Sequence, residues 1–123
     1  MSLCLAAGLV TATIAADTFT LGWTHSIAKT RWEEDWHVAG RSLQLDAARI
    51  AGTGAGMEPP NDAILRDGVW HYQPVVSPLP RLVLAHSPYA AGYELCRDGR
   101  CRPLADFLPG MDNPTTIVLE PCP

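Results

Sequence analysis

From residue 18 to residue 49, apolar and polar side chains alternate with a period of two in three successive runs, a pattern that confines the chain to antiparallel β structure. In the first run Phe19, Leu21, Trp23 and His25 share one face, with Thr18, Thr20, Gly22 and Thr24 on the other. In the second, Trp32, Glu34, Trp36 and Val38 face one way while Glu33, Asp35 and His37 face the other. A turn at Gly40-Arg41 leads to the third, where Leu43, Leu45, Ala47 and Arg49 are in phase. Strands so close in sequence pair as an antiparallel meander. Val69 to Tyr72, after an Asp67-Gly68 turn, and Leu82 to His86 read as further strands, separated by a bend at Pro74, Pro78 and Pro80. Thr115 to Leu119 is suited to closing a sheet. Gly52 to Pro60 reads as a loop, because glycine loosens regular structure and proline blocks it. With 123 residues, 47% of them hydrophobic and 18% charged, the chain is expected to build one core. The expected class is all-β, a small antiparallel β-sandwich or partly open barrel.

The first sixteen residues follow a different rule. They carry no charge and run through Leu, Ala, Val and Ile interrupted by small residues. This resembles the apolar part of a secretory leader, with cleavage expected after Ala15 or Ala16 and residues 17–123 left as a single β-domain. The run is shorter than the ~20 apolar residues of a membrane helix, so an uncleaved anchor is the weaker alternative. A basic stretch before the apolar run is missing, and Cys4 stands too near the start for a lipoprotein signal. The expectation is an exported, periplasmic or periplasm-facing protein.

Cysteine usage fits that compartment. Cys96 and Cys101 flank Arg97-Asp98-Gly99-Arg100, and Asp-Gly favours a tight turn, so the pair reads as a disulfide-closed hairpin. A zinc site would need further ligands at recognisable spacing, which neither this pair nor His25, His37, His71 and His86 supply. Cys122 is left unpaired, either free or bonded to another molecule. A net charge of −4 gives no footprint for nucleic acid. Arg97, Arg100 and Arg102 cluster around the turn as solvated charges.

Three polar residues break the alternation. His25, Glu34 and Arg49 each stand in phase with the apolar residues of their own run. If Val38 pairs with Leu43, stepping back along the ladder places Arg49 opposite Trp32, one inward position from Glu34. Pairing of the first two runs would bring His25 opposite or diagonal to Glu34. A buried carboxylate needs a partner, so Glu34 is expected to pair with Arg49 or His25. Such a cluster is a candidate site in which Arg49, His25 and the amides of Gly54 and Gly56 would hold a carboxylate or a partner's acidic loop while Glu34 orients Arg49, and Glu58 in the same loop is a further ligand- or partner-binding candidate. The same three residues would equally make an ion pair that does no more than lock the register.

Familiar catalytic signatures fail. Gly52 to Gly56 lacks the glycine spacing of a dinucleotide fingerprint and the Gly-Lys-Ser/Thr ending of a phosphate loop. No G-x-S-x-G elbow is present. In His25-Ser26 and His86-Ser87 the neighbouring side chains point to opposite faces of a strand, so neither pair joins a nucleophile to its base. No cofactor or metal is expected.

The stretch from Trp23 to Trp36, with its T-H-S, K-T and W-E-E-D-W elements, resembles an uncharacterised bacterial family, as do the G-A-G-M-E-P-P loop and the Cys96 to Cys101 hairpin. That family is a domain of unknown function, and the likeness runs from about Phe19 to Leu104. Its members are commonly encoded beside, or fused to, the membrane subunits of TRAP transporters of the TAXI class. The resemblance implies an accessory or binding protein of an organic-anion transport system, partnered by the membrane subunit or the solute-binding protein, and supplies no catalytic residue. Two other classes stay open: a small hydrolase using Glu34 or Glu58 as general base near His25, and a purely structural interaction domain.

Overall fold

The computed structural model describes residues 1–24, 30–51 and 60–123. Two strands come first, β1 (Ser2–Ala7) and β2 (Val10–Ala15). The expected meander follows as β3 (Thr18–Thr24), β4 (Arg31–Ala39) and β5 (Ser42–Ala51). Then come β6 (Ile64–Arg66), β7 (Val69–Tyr72), β8 (Leu82–His86), β9 (Glu94–Arg97) and β10 (Arg100–Pro103). A 3-10 turn at Leu104–Phe107 precedes β11 (Thr115–Pro121). Both Asp-Gly turns close hairpins with positive φ at the two central residues, 51° and 77° at Asp67-Gly68 and 53° and 75° at Asp98-Gly99. Such a turn matches the right-handed twist of its strands.

The described strands form two antiparallel sheets, ordered β2-β1-β11-β8 and β10-β9-β3-β4-β5-β7-β6. They pack face to face as a sandwich and do not close into a barrel. Leu3, Leu5, Ile117 and Leu119 of the smaller sheet meet Phe19, Leu21, Trp36, Leu43, Leu45 and Leu95 of the larger in one core. Leu43 and Leu79 exchange backbone hydrogen bonds of 2.7 and 2.9 Å, tying the proline-rich bend to the edge of this core.

The smaller sheet corrects the leader reading. Residues 2–15 are a β-hairpin inside the domain: Leu3 is 0% and Leu5 1% exposed, and β1 lies between β2 and β11. The residues read as an apolar run alternate, with Leu3, Leu5 and Ala7 facing the core and Ser2, Cys4 and Ala6 facing away. The domain therefore begins well before residue 17. Arg97, at the disulfide hairpin, donates from Nη1 to the Ala15 carbonyl at 2.7 Å and so is tied to β2 rather than merely solvated.

Cys122 is likewise not unpaired. It is bonded to Cys4 across a sequence separation of 118, while Cys96 and Cys101 form the expected hairpin bridge. Two disulfides point to an oxidising, extracytoplasmic compartment. Among the described residues no helix is long and apolar enough to cross a membrane.

Loop-closure entropy sets the relative weight of the two bridges. The chain-entropy relation gives about 5 kcal/mol for a loop the size of the Cys4–Cys122 one and about 2 kcal/mol for a loop of a few residues. Replacing Cys4 and Cys122 by alanine should thus lower the denaturation midpoint at least twice as far as replacing Cys96 and Cys101. Urea unfolding of the two double variants measures this, and equal losses would refute the ordering.

Candidate binding face around Glu34

The β4–β5 ladder starts as expected, with Val38 paired to Leu43 and Trp36 to Leu45. The next pair is Asp35 with Ala47, so Asp46 is an extra residue on β5, a β-bulge. One inserted residue inverts the faces of everything beyond it. Leu43 and Leu45 face inward before the bulge, and Ala48 and Ile50 do so after it. Ala47 and Arg49 are turned outward. Trp32 consequently stands opposite Ile50, and Arg49 opposite Glu33. Glu34 has Leu21 across on β3 and Ala48 across on β5. The expected grouping of Glu34 with Arg49 on one face is thus overturned, because the bulge separates them by the thickness of the sheet. His25, Gly54, Gly56 and Glu58 lie outside the described residues.

On the outer face Arg49 is fully engaged. Its Nη1 and Nη2 donate to Asp35 at 2.7 and 2.8 Å, a two-pronged pair, and its Nε donates to Glu33 at 3.2 Å. Thr20 Oγ1 donates to Asp35 at 2.7 Å. Arg31 continues the series, pairing with Glu94 and approaching Glu33 to 3.5 Å. Its guanidinium crosses directly over Gly22, so a Cβ at that position would require the Arg31 side chain to shift. The hydrogen bonds from Arg49 hold the Asp35 carboxyl below its ordinary range, and those to Asp35 and Glu33 raise Arg49 further. The edge of Arg49 that would grip an anion is already occupied by a carboxylate.

The inner face carries the opposite arrangement. Glu34 accepts one long hydrogen bond, 3.4 Å from Trp36 Nε1, and has no ion-pair partner among the described residues. Burial pushes its carboxyl up, with the Trp36 bond only partly opposing. Tyr72 and Tyr93 are both raised, first by burial and then by the negative charge of Glu34, whose strand β4 lies between β7 and β9 in the sheet order. One step toward the end of the sheet runs a row of Trp23, Trp32, Ile50, Trp70 and Leu65. Trp23 and Trp32 stack at 6.1 Å and 15°, and Tyr93 leans on Trp23 at 5.6 Å and 56°. Ala48 and Ile50, at 3% and 5% exposure, are buried yet belong to this layer rather than to the sandwich core. The indole N–H groups of Trp32 and Trp70 are buried without an acceptor among the described residues.

Sequence reasoning placed Glu34 correctly between Trp32 and Trp36 but missed Trp70, Tyr72 and Tyr93 as its surroundings. The common phase of Trp70 and Tyr72 was the available signal. Among the described residues no group of His, Cys, Asp and Glu could hold a metal.

A family model described as a domain of unknown function, DUF1850, matches residues 19–104. The chain belongs to the DUF1850 family. In this DUF1850 member the matched stretch contains Glu34, the tryptophan row and nearly all of the larger sheet, whereas β1, β2 and β11 fall outside it. Neither curated proteins nor solved structures gave a match.

Adjacent carboxylates here respond oppositely to pH. Asp35 is lowered from 3.8, so its stabilisation is complete above that value and is lost as pH falls through the lower folded value. Glu34 is raised from 4.5, so its charge costs nothing below that value and weakens the fold as pH rises through the higher folded one. Arg49→Met should cost about 1–2 kcal/mol at neutral pH, reduced from a buried pair because these groups are a quarter to a third exposed. The loss should shrink in acid. Glu34→Gln should raise the urea midpoint at neutral pH and leave it unchanged below pH ~4. Midpoints measured across that range decide both, and a neutral-pH midpoint lowered by Glu34→Gln would contradict the second.

Proposed function

We propose that this DUF1850 domain is an exported, periplasmic and non-catalytic binding module that works beside a TRAP-type transport system of the TAXI class. Its partner is the membrane subunit or the solute-binding protein, and its docking surface is the aromatic face around Glu34. The observation that carries this reading is the set of Trp23, Trp32, Trp70, Tyr72 and Tyr93 on the inner face, all partly exposed, with Trp23 and Tyr93 packed against the margin of the core. Tryptophan and tyrosine dominate the energetic centres of protein interfaces, since they bury large rigid areas at small entropic cost. A sheet supplies that rigidity at no further expense.

Direct capture of the transported organic anion by Arg49 is a weaker version of the proposal. Any such anion would have to displace Asp35 from a two-pronged pair. Docking leaves that network intact and assigns contact with the anion to the transporter. The hydrolase alternative draws on one observation, the raised carboxyl of Glu34, which is a property of general bases. Turnover of an ester, amide or glycoside that disappears in Glu34→Gln would establish it in place of docking.

Leu65 tests the docking face without touching the core. It is 52% exposed and lies directly across from Trp70 on the inner side. Leu65→Glu should keep the melting temperature within a few degrees and reduce co-purification with the transporter subunit by about tenfold or more, the scale of an interface residue worth over 1 kcal/mol. If wild-type protein captures neither the membrane subunit nor the solute-binding protein, the proposal fails.

A further inference from the structure

The inner face combines two features that together suit a cationic ligand. One is a half-buried carboxylate held by a single long hydrogen bond from Trp36. The other is a continuous aromatic wall, in which Trp23 and Trp32 lie nearly parallel and Tyr93 is tilted against them. Glu34 is two residues from Trp32 on the same side of β4, which sets their Cα atoms about 7 Å apart.

The charges nearby fix the sign of the ligand. Arg31 and Arg49 project from the opposite face of the sheet and are consumed by Glu33, Asp35 and Glu94. Among the described residues, the groups beside Glu34 on the inner side are Leu21, Ala48, Tyr72, Tyr93 and the tryptophans, none of which supplies positive charge. An anion would meet repulsion here. A cation would gain both the Coulomb attraction of the carboxylate and the quadrupole of the rings, a combination used to hold ammonium groups.

We infer that the inner face at Glu34 is a binding site for an alkylammonium group, with Glu34 as its counter-ion and Trp23, Trp32 and Tyr93 as its aromatic wall. The group is either a free small amine or the side chain of a lysine on the docking partner. This inference rests on the reading of the same face as a binding surface, and it adds the chemistry that the surface selects.

The test uses the full oxidised chain and its tryptophan fluorescence. Methylammonium, tetramethylammonium and N-acetyl-lysine amide are titrated at constant ionic strength, with sodium acetate as the anionic control. Saturable changes with the amines and none with acetate are expected. Glu34→Gln should weaken amine binding at least tenfold while melting no lower than the wild type, and Glu34→Asp should retain part of the affinity. A silent wild type, or a Glu34→Gln protein that binds amines equally well, would overturn the inference. If the amines bind, competition by N-acetyl-lysine amide against the transporter subunit assigns the site to a partner lysine. Amine binding without capture of any subunit would uphold the ammonium site and sink the docking proposal. Capture that no amine can compete, with no amine bound, would do the reverse.

Discussion

Pairing of β1 with β11 is the contact on which the rest of the sandwich depends, because it assembles the sheet that covers the core. Leu3 and Leu5 from one strand and Ile117 and Leu119 from the other are essentially inaccessible, and all face the larger sheet. Without them Phe19, Leu21, Trp36, Leu43, Leu45 and Leu95 would form an apolar face open to water. At roughly 1.5–3 kcal/mol for each large side chain, such exposure exceeds the margin by which a small domain is stable. The strands that make this contact come from opposite ends of the chain, so the fold is complete only when its most distant segments have met.

Much of the larger sheet was legible in the sequence. The alternation from Phe19 to Leu45 predicts β3, β4, the start of β5 and the Val38–Leu43 pairing, since a half-buried strand must alternate. The bulge was not legible. Asp46 is one more polar residue on an outward position, and Ala47 and Ala48 are identical in kind, so nothing marks where parity inverts. Only the order Arg49-Ile50, with the aliphatic residue in the unexpected phase, carries a trace of it. The first hairpin was misread for a related reason. Small residues on both faces of β1 hide its alternation, and an uncharged apolar run looks alike whether it is exported or folded. Gly8, at φ 60°, and the even number of cysteines held the missing information.

The bulge also accounts for the division of charge between the two faces. Had β5 continued in register, Arg49 would have neutralised Glu34 and the inner carboxylate would have been a structural ion pair. Displacement by one residue instead sends Arg49 to Glu33 and Asp35 and leaves Glu34 among rings. Asp35 and Glu34, adjacent in sequence, therefore occupy opposite electrostatic settings, one met by Arg49 and Thr20 and the other, among the described residues, by a single indole N–H. Sheets make such contrasts readily, because a single peptide step crosses from one face to the other.

The Cys4–Cys122 bridge has a mechanical consequence. Anything attached ahead of residue 1 or beyond residue 123 is joined to the domain within a few residues of this bond. A pull between the two attachments runs along residues 1–4, across the sulfur–sulfur bond and out through the final residues. Apart from Ser2 to Cys4 at the start of β1, the sheets lie within the loop that the bond closes and are spared that load. A domain tethered in this way can sit in series between moving neighbours and transmit tension without unfolding.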